Sequence, residues 1–406
     1  MTISYSGSFF RLLLRWKGSI WRSTWKELSV YLVLYYIVRA FYIFVIPVLD
    51  DEYDSKRKYF SRKFEALCIM FDNYTKLIPL TFLLGFYVSN VVARWWRQFE
   101  SLNWPEDLLT QACLIIPGSD ERSVKRRHLI ARYVNLTAAL SWRDISTKLR
   151  MKFPNMSSIQ AAGLMTEKEA IMLEDINAEC PYVRWMTPLH WIQLIVLKEV
   201  KDSNPPASLV NNFLKDLGMF RQQFRRLFCY DWVCVPLPYT QVAALATYAF
   251  FIFCLFGRQF IDRSKDRDSQ IDLQIPIFTI VQFLFFVGWF KIGQDLMRPF
   301  GTDDDDIELV YIFERNLSTS FTIVHKLQET APPMDDAEED PFWKKIKSEK
   351  SHFDLPDNQF SKKMKNHAPK LHSYIRLSGD EEDKAETLED SKCRPSIKPF
   401  KKQLHW

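Results

Sequence analysis

The stretch Trp232 to Gly257 contains no charged side chain. About 20 apolar residues cross a hydrocarbon core. A helix apolar on every side belongs either inside a large protein core or in a bilayer, so this run restricts the chain to folds that offer one or the other. Pro236 and Pro238 fall near its start, where a missing N–H does least harm.

Three further segments share this character. Leu28 to about Leu49 carries Arg39 as its only charge before Asp50, and Arg39 in mid-span must face protein or water. A second segment begins near Phe64 and extends through Ala93, its first turns interrupted by Glu65, Asp72 and Lys76. Its last part, Leu77 to Ala93, is charge-free and ends at Arg94-Trp95-Trp96-Arg97, the aromatic and basic pattern of a membrane interface. The fourth, Ile275 to Phe290, is followed by Lys291. With 47% hydrophobic residues and a mean hydropathy of -0.18, the average hides these windows among charged segments. An all-α membrane protein with four spans is expected.

Arg11, Arg15, Lys17, Arg22 and Lys26 precede the first span. By the positive-inside tendency they place the N-terminus in the cytoplasm, and four spans return the C-terminus there. Expected divisions are 1–27, a basic amphipathic cytosolic segment; 28–97, the first two spans; 98–231, a cytosolic helical region; 232–300, the last two spans; 301–330, an acidic run and a helix; and 331–406, a mostly disordered tail. Residues 50–63 and the charged stretch 258–268 are external connections. Within 98–231, helical periodicity covers 124–150 and 207–229, Thr166 and Glu169 have capping-box spacing, and Pro188 to Glu199 forms a buried or interfacial helix. Asn204-Pro205-Pro206 breaks the chain.

Chemistry is sparse. No glycine-rich phosphate loop, G-x-S-x-G or H-E-x-x-H occurs, and no enzyme is indicated. The seven Cys show neither CxxC nor zinc spacing, and reduced thiols are expected. The net charge of +5 comes from mixed charges and makes no case for nucleic acid. His128 and His190 read as structural. The sequons at Asn135, Asn155 and Asn316 fall on the cytoplasmic side and are expected to be unmodified. Asp303 to Asp306 are four adjacent carboxylates that repel one another. A hard divalent cation offsets that repulsion, but the run alone favours an acidic helix start over a cation site. Within Leu77–Ala93, helical spacing puts Ile78, Phe82 and Phe86 close to one stripe. The stripe fits ordinary packing or a hydrophobic constriction assembled by symmetry.

The N-terminal MTISY, Gly18-Ser19-Ile20, IPLTFLLGFYV, Arg94-Trp95-Trp96, YDW at 230–232, VPLPYTQV at 235–242, GRQF at 257–260 and PFGTDDDD at 299–306 together resemble the bestrophin family over roughly 1–330. An invertebrate-type member is suggested. The resemblance implies a homopentameric, calcium-activated chloride or anion channel in the plasma membrane. Each subunit would have four membrane helices and a large cytosolic helical part. It implies a hydrophobic neck of Ile78, Phe82 and Phe86, a cytosolic aperture at Ser208, and regulatory Ca2+ held by the Asp303 and Asp306 side chains with backbone carbonyls of Asp295 and Arg298. Two features depart from the family pattern. Ser6-Gly7-Ser8-Phe9 follows Tyr5 almost at once, which shortens the segment that lends the clasp a further carbonyl, and Thr302 replaces an acidic position. Weakened rather than absent calcium binding is the expected consequence. The alternative is an anion transporter or a membrane regulatory subunit with weak or no calcium gating. A transporter is expected to show repeated halves with broken helices, and none is visible.

Overall fold

A computed structural model describes residues 9–54, 59–261 and 275–330. The N-terminal MTISY, most of the charged stretch 258–268 and the tail 331–406 lie outside these residues. The chain is helical throughout them. Helix α1 (Phe9–Leu13) is followed by a turn and by α2 (Ile20–Ala40), which continues through a π-helical turn, Phe41–Val45, into α3 (Ile46–Asp54). Pro47 explains that turn. It lacks an N–H and crowds the carbonyl four residues back, and the chain widens by one residue so that Ile46 N–H reaches Phe41 O.

The continuous segment Ile20–Glu52 is one of three among the described residues that are long and apolar enough to span a membrane. The others are α13 (Leu237–Gly257) and α14 (Ile277–Asp295). The first helix thus starts well before the expected Leu28, because Ser19 caps it: its Oγ accepts from Arg22 N–H and donates to Trp16 O at 2.7 Å. Residues Ile20 to Glu27 belong to this helix and not to a separate segment. The second expected span, Phe64 to Ala93, falls on a bent pair of helices, α4 (Tyr59–Leu77) and α5 (Leu80–Glu100), meeting at 42°. Pro79 stops α4, and Ile78 before it is pushed out of helical conformation. Most of the expected external connection at 50–63 is likewise helical, in α3 and α4.

These elements bury Tyr31, Leu84, Val88, Phe251, Phe283 and Phe290 in a membrane core. Close approaches hold it. A Cβ at Gly257 would lie 2.8 Å from Asp72 N, at Gly288 2.1 Å from the Ile20 side chain, and at Gly293 2.6 Å from the Tyr87 ring. Arg39 is half-buried and engaged by a partner.

The second core is built from α6 (Glu106–Ile115), α7 (Glu121–Ile145), α8 (Thr147–Lys152), α9 (Met156–Ala161), α10 (Glu167–Glu179), α11 (Thr187–Ser203), α12 (Ala207–Trp232) and α15 (Leu309–Phe321). Trp142, Phe213, Phe224 and Phe313 fill it. Residues 188–199 do form a buried face, packed in α11 against α7. Asn204 ends α11 in left-handed conformation, and α12 begins after Pro206. The buried Arg127 guanidinium donates to the carbonyls of Ile116, Gly118 and Val324, tying α6, α7 and the π-helical turn Thr322–Leu327 together. Asn135 and Asn316 are buried and donate to Ala131 O and Asn103 O, and Asn155 caps α9. The six described cysteines are free thiols.

The expected capping box opens α10. Its Glu169 also accepts from Arg132 Nη1 and Nη2 at 2.6 and 2.7 Å and from Tyr133 Oη at 2.6 Å. Burial raises the Glu169 carboxyl, but the bonds from Arg132, Tyr133 and Thr166 N–H outweigh it and hold it at about 2. An unfolded glutamate titrates near ~4.3. The network's stabilisation is therefore complete above that value and is lost as pH falls toward the folded one. Glu169→Gln is expected to cost about 1.5–3 kcal/mol at pH 7. Thermal midpoints in detergent should show the wild-type advantage shrinking as pH drops from ~4.5 toward 2, and a gap that does not depend on pH would contradict this account.

Candidate functional site

After α14 the chain turns sharply through Leu296–Glu308 before α15 begins at Leu309. The acidic run Asp303–Asp306 therefore precedes α15 without forming its first turn. The loop is closed by Ile307 N–H donating to Pro299 O at 2.7 Å and by Asp303 N–H donating to Asp306 Oδ2 at 2.6 Å. Phe300 O accepts from Thr147 N–H at 3.3 Å, and Lys148 Nζ donates to Glu308 Oε2 at 2.8 Å, fixing the loop to α8. Gly301 is required by crowding. A Cβ there would lie 2.8 Å from Asp306 Oδ2 and 3.6 Å from Arg298 O, so the Asp306 carboxylate and the Arg298 carbonyl converge beside it.

Asp295, Asp303 and Asp306 line one cavity of about 340 Å³ with Asp304 and Asp305. Its opposite wall is Gly18, Ser19, Arg22 and Trp95. Gly18 has a φ of 66°, which suits glycine, and it delivers Ser19 to the start of α2. Arg22 pairs with Asp304. Sequence reasoning missed this wall, although the Gly18-Ser19 pair is a turn followed by a helix cap. Burial, opposed by the Asp303 N–H and reinforced by the Asp303 charge, pushes the Asp306 carboxyl up to about 6. Asp305 is also raised, by burial and by Asp304 and Asp303. Negative charge here exceeds what Arg22 and Lys148 offset, and such a donor set fits a hard cation. Among the described residues no three carboxylate, thiol or imidazole side chains converge as a metal cluster, so a cation fits only if backbone oxygens complete its shell. Arg298 also lines a neighbouring cavity.

The pore candidates lie elsewhere. Phe82 and Phe86 project from α5 with 64% and 58% of their surface exposed, their rings edge-on with centroids 4.7 Å apart. The opposite face of α5 buries Leu84, Tyr87, Val88 and Val91. Ile78 is not on the helix. It lies at the break, half-buried against the membrane core, and its carbonyl accepts from Leu80 N–H at 2.8 Å. The stripe of three is thus a helical pair plus one residue at a bend, because Pro79 denies α4 continuation. Ser208 is exposed in the first turn of α12, whose 26 residues extend about 39 Å to Trp232. His128 packs against the rings of Phe321 and His325, and His190 is exposed beside Gln193.

Among the described residues, three helices long and apolar enough to span a membrane, together with a bent pair, beside a second helical core, define a multi-pass, all-α membrane protein of channel-like architecture. Residues 1–326 match the family model described as "Bestrophin, RFP-TM, chloride channel". Bestrophin homolog 13 of Caenorhabditis elegans is 53% identical over 415 residues, covering 100% of both chains. Human Bestrophin-1 is 36% identical over 85% of this chain and 58% of its own length. A bacterial bestrophin homologue from Klebsiella pneumoniae superposes with a TM-score of 0.52 at 12% identity, covering 75% of this chain and 99% of that one. At that identity the last likeness concerns fold alone. The chain belongs to the bestrophin family.

Gly301→Ala should displace the buried Asp306 carboxylate from Asp303 N–H and cost about 1–3 kcal/mol. Gly218→Ala on α12 provides the control, since its new Cβ meets nothing within 4 Å and helix propensity favours alanine by about 0.5–1 kcal/mol. Thermal midpoints without divalent cations should move in opposite directions. Equal shifts would show that the approach at Gly301 carries no strain.

Proposed function

We propose that the protein is a homopentameric anion channel of the plasma membrane, with chloride as its permeant ion and cytosolic calcium as its activator. In this reading both termini are cytoplasmic and the bent α4–α5 pair completes a fourth span. The observation that supports it most is the Phe82–Phe86 pair, a strongly exposed aromatic edge on a helix whose other face is sealed in the membrane core. Five copies around an axis would make a narrow apolar neck, with Ile78 flanking it at the bend. Such a ring gates by dewetting, since an ion passing through loses hydration that no side chain replaces. The edges of aromatic rings carry positive partial charge, which favours anions at the neck. Ser208, small and polar, would form a second and more permissive aperture in the extramembrane part.

Asp303 and Asp306 would hold the calcium ion through their side chains, and Asp295 and Arg298 through backbone carbonyls. The bound ion supplies positive charge that relieves the repulsion among these carboxylates. The chain's own residues carry the coupling. Gly293 at the end of α14 packs on the Tyr87 ring, next to Phe86. A loop that settles α14 therefore also settles the face of α5 opposite the neck. Coupling of this kind requires tighter binding in the open state than in the closed one.

Replacing Ile78, Phe82 and Phe86 together by Ala should widen and wet the neck and leave steady currents in reconstituted bilayers less dependent on calcium. Unchanged calcium dependence in that variant would remove the neck from gating.

Asp303→Asn with Asp306→Asn should raise the calcium needed for half-activation. Native mass should remain five times the 48.2 kDa chain in both proteins. Calorimetry with calcium titrated into wild type and the double variant distinguishes a ligand site from a solvated acidic turn, because the turn alone would give identical heats.

A further inference from the structure

We propose that the cavity at the α12–α13 corner is a headgroup site for an aminophospholipid, phosphatidylethanolamine by preference. The cavity measures about 570 Å³ and is separate from the acidic one. Arg94, Arg298, Asp231 and Gln98 contribute its charged and amide groups. Arg94 already donates to Tyr230 O and Val233 O and lies over the Tyr230 ring, 5.1 Å from its centroid. It holds the corner of the chain and keeps its charge on the cavity wall. Arg298 and Asp231 form no ion pair among the described residues.

Gln98 is the unusual member. It is 5% exposed, yet its Oε1 has no hydrogen-bond partner. A buried acceptor left unpaired costs free energy until a ligand or a water completes it. The wall therefore offers cationic donors, one carboxylate and one unpaired acceptor. A phosphate suits the guanidinium groups. A primary ammonium beside it suits the Asp231 carboxylate by charge and Gln98 Oε1 as the N–H donor that it lacks. Ethanolamine phosphate carries these two groups on adjacent carbons. Choline has the charge but no N–H, glycerol phosphate has no cation, and the extra carboxylate of serine would repel Asp231.

Position points to a lipid as the source of this headgroup. Arg94 ends the charge-free run of α5, Leu237 begins the candidate span α13, and the Met297–Arg298 side of the cavity follows the end of α14. Such a boundary lies at headgroup depth. Trp232, Val233 and Leu237 stand 64%, 67% and 66% exposed around the corner, an apolar approach suited to acyl chains.

The test uses the full chain in nanodiscs of phosphatidylcholine containing phosphatidylethanolamine, with retained lipid counted by native mass spectrometry. Wild type should keep phosphatidylethanolamine in preference to phosphatidylcholine through delipidation. Equal retention of the two would overturn the proposal and needs no variant. Gln98→Leu and Asp231→Asn should each weaken phosphatidylethanolamine retention by about tenfold, the loss of one strong hydrogen bond. Retention at the wild-type level in both would overturn it as well. Soluble phosphoethanolamine should compete only weakly, because it lacks the chains. Competition as strong as the lipid's would assign the cavity to a free metabolite and sink the lipid assignment.

Discussion

Helix α5 belongs to both cores, and that double membership constrains everything around it. Its first half buries Leu84, Val88 and Val91 among membrane helices, while Trp95 and Phe99 near its end pack on the extramembrane core. One rigid helix thus fixes the two halves of the subunit relative to each other. Its buried side is fully engaged. Tyr87 is taken up by Phe290 and Gly293 of α14, and Arg94 by the carbonyls that end α12. The side left exposed carries Phe82 and Phe86, with Val92 and Trp96 further along, and burying it requires another molecule, whether lipid or a second subunit. The bend at Pro79 sets the direction of that edge, because a straight α4–α5 helix would carry Ile78 on the same stripe.

Much of this was legible in the sequence because it rests on local physics. Charge-free runs marked the spans, the Thr166–Glu169 spacing marked the start of α10, and Asn204-Pro205-Pro206 marked the break before α12. The bend was misread for a local reason. Apolar periodicity continues through Ile78 and Pro79, and the hydrophobic pattern outweighed a proline whose effect on backbone geometry is decisive. The start of α2 was placed too late because Arg22, Lys26 and Glu27 look like the end of a soluble segment. In the structure these charges are used, with Arg22 on Asp304 and Lys291 Nζ 2.8 Å from Glu27 Oε1.

The acidic loop was legible only as a composition. Four aspartates in a row state that repulsion must be managed, but not how. The structure separates their tasks. Asp304 faces Arg22 from a segment far away in sequence, Asp306 turns back to hold Asp303 N–H, and Asp303 and Asp305 remain on the cavity. No spacing rule reports a partner so distant along the chain, so the Gly18–Arg22 wall could not be found from the run itself.

In the channel reading proposed above, coupling between loop and neck reduces to a question of stiffness. The loop is tied at three points, through Thr147 and Lys148 to α8 and through Arg22 to α2. Its free end is the short connection from Asp295 to Pro299, where Arg298 N–H to Asp295 O is a long bond at 3.5 Å. Deformation concentrates where bonding is weakest, so this connection is where a change in loop charge would be expressed. From there α14 transmits it without slack, since a Cβ at Gly293 would already lie inside the Tyr87 ring's contact distance. Close-packed contacts of this kind shift between discrete arrangements and do not deform continuously. In that reading a small displacement at the acidic cavity is suited to moving α5 as a unit, and with it the exposed Phe82–Phe86 edge.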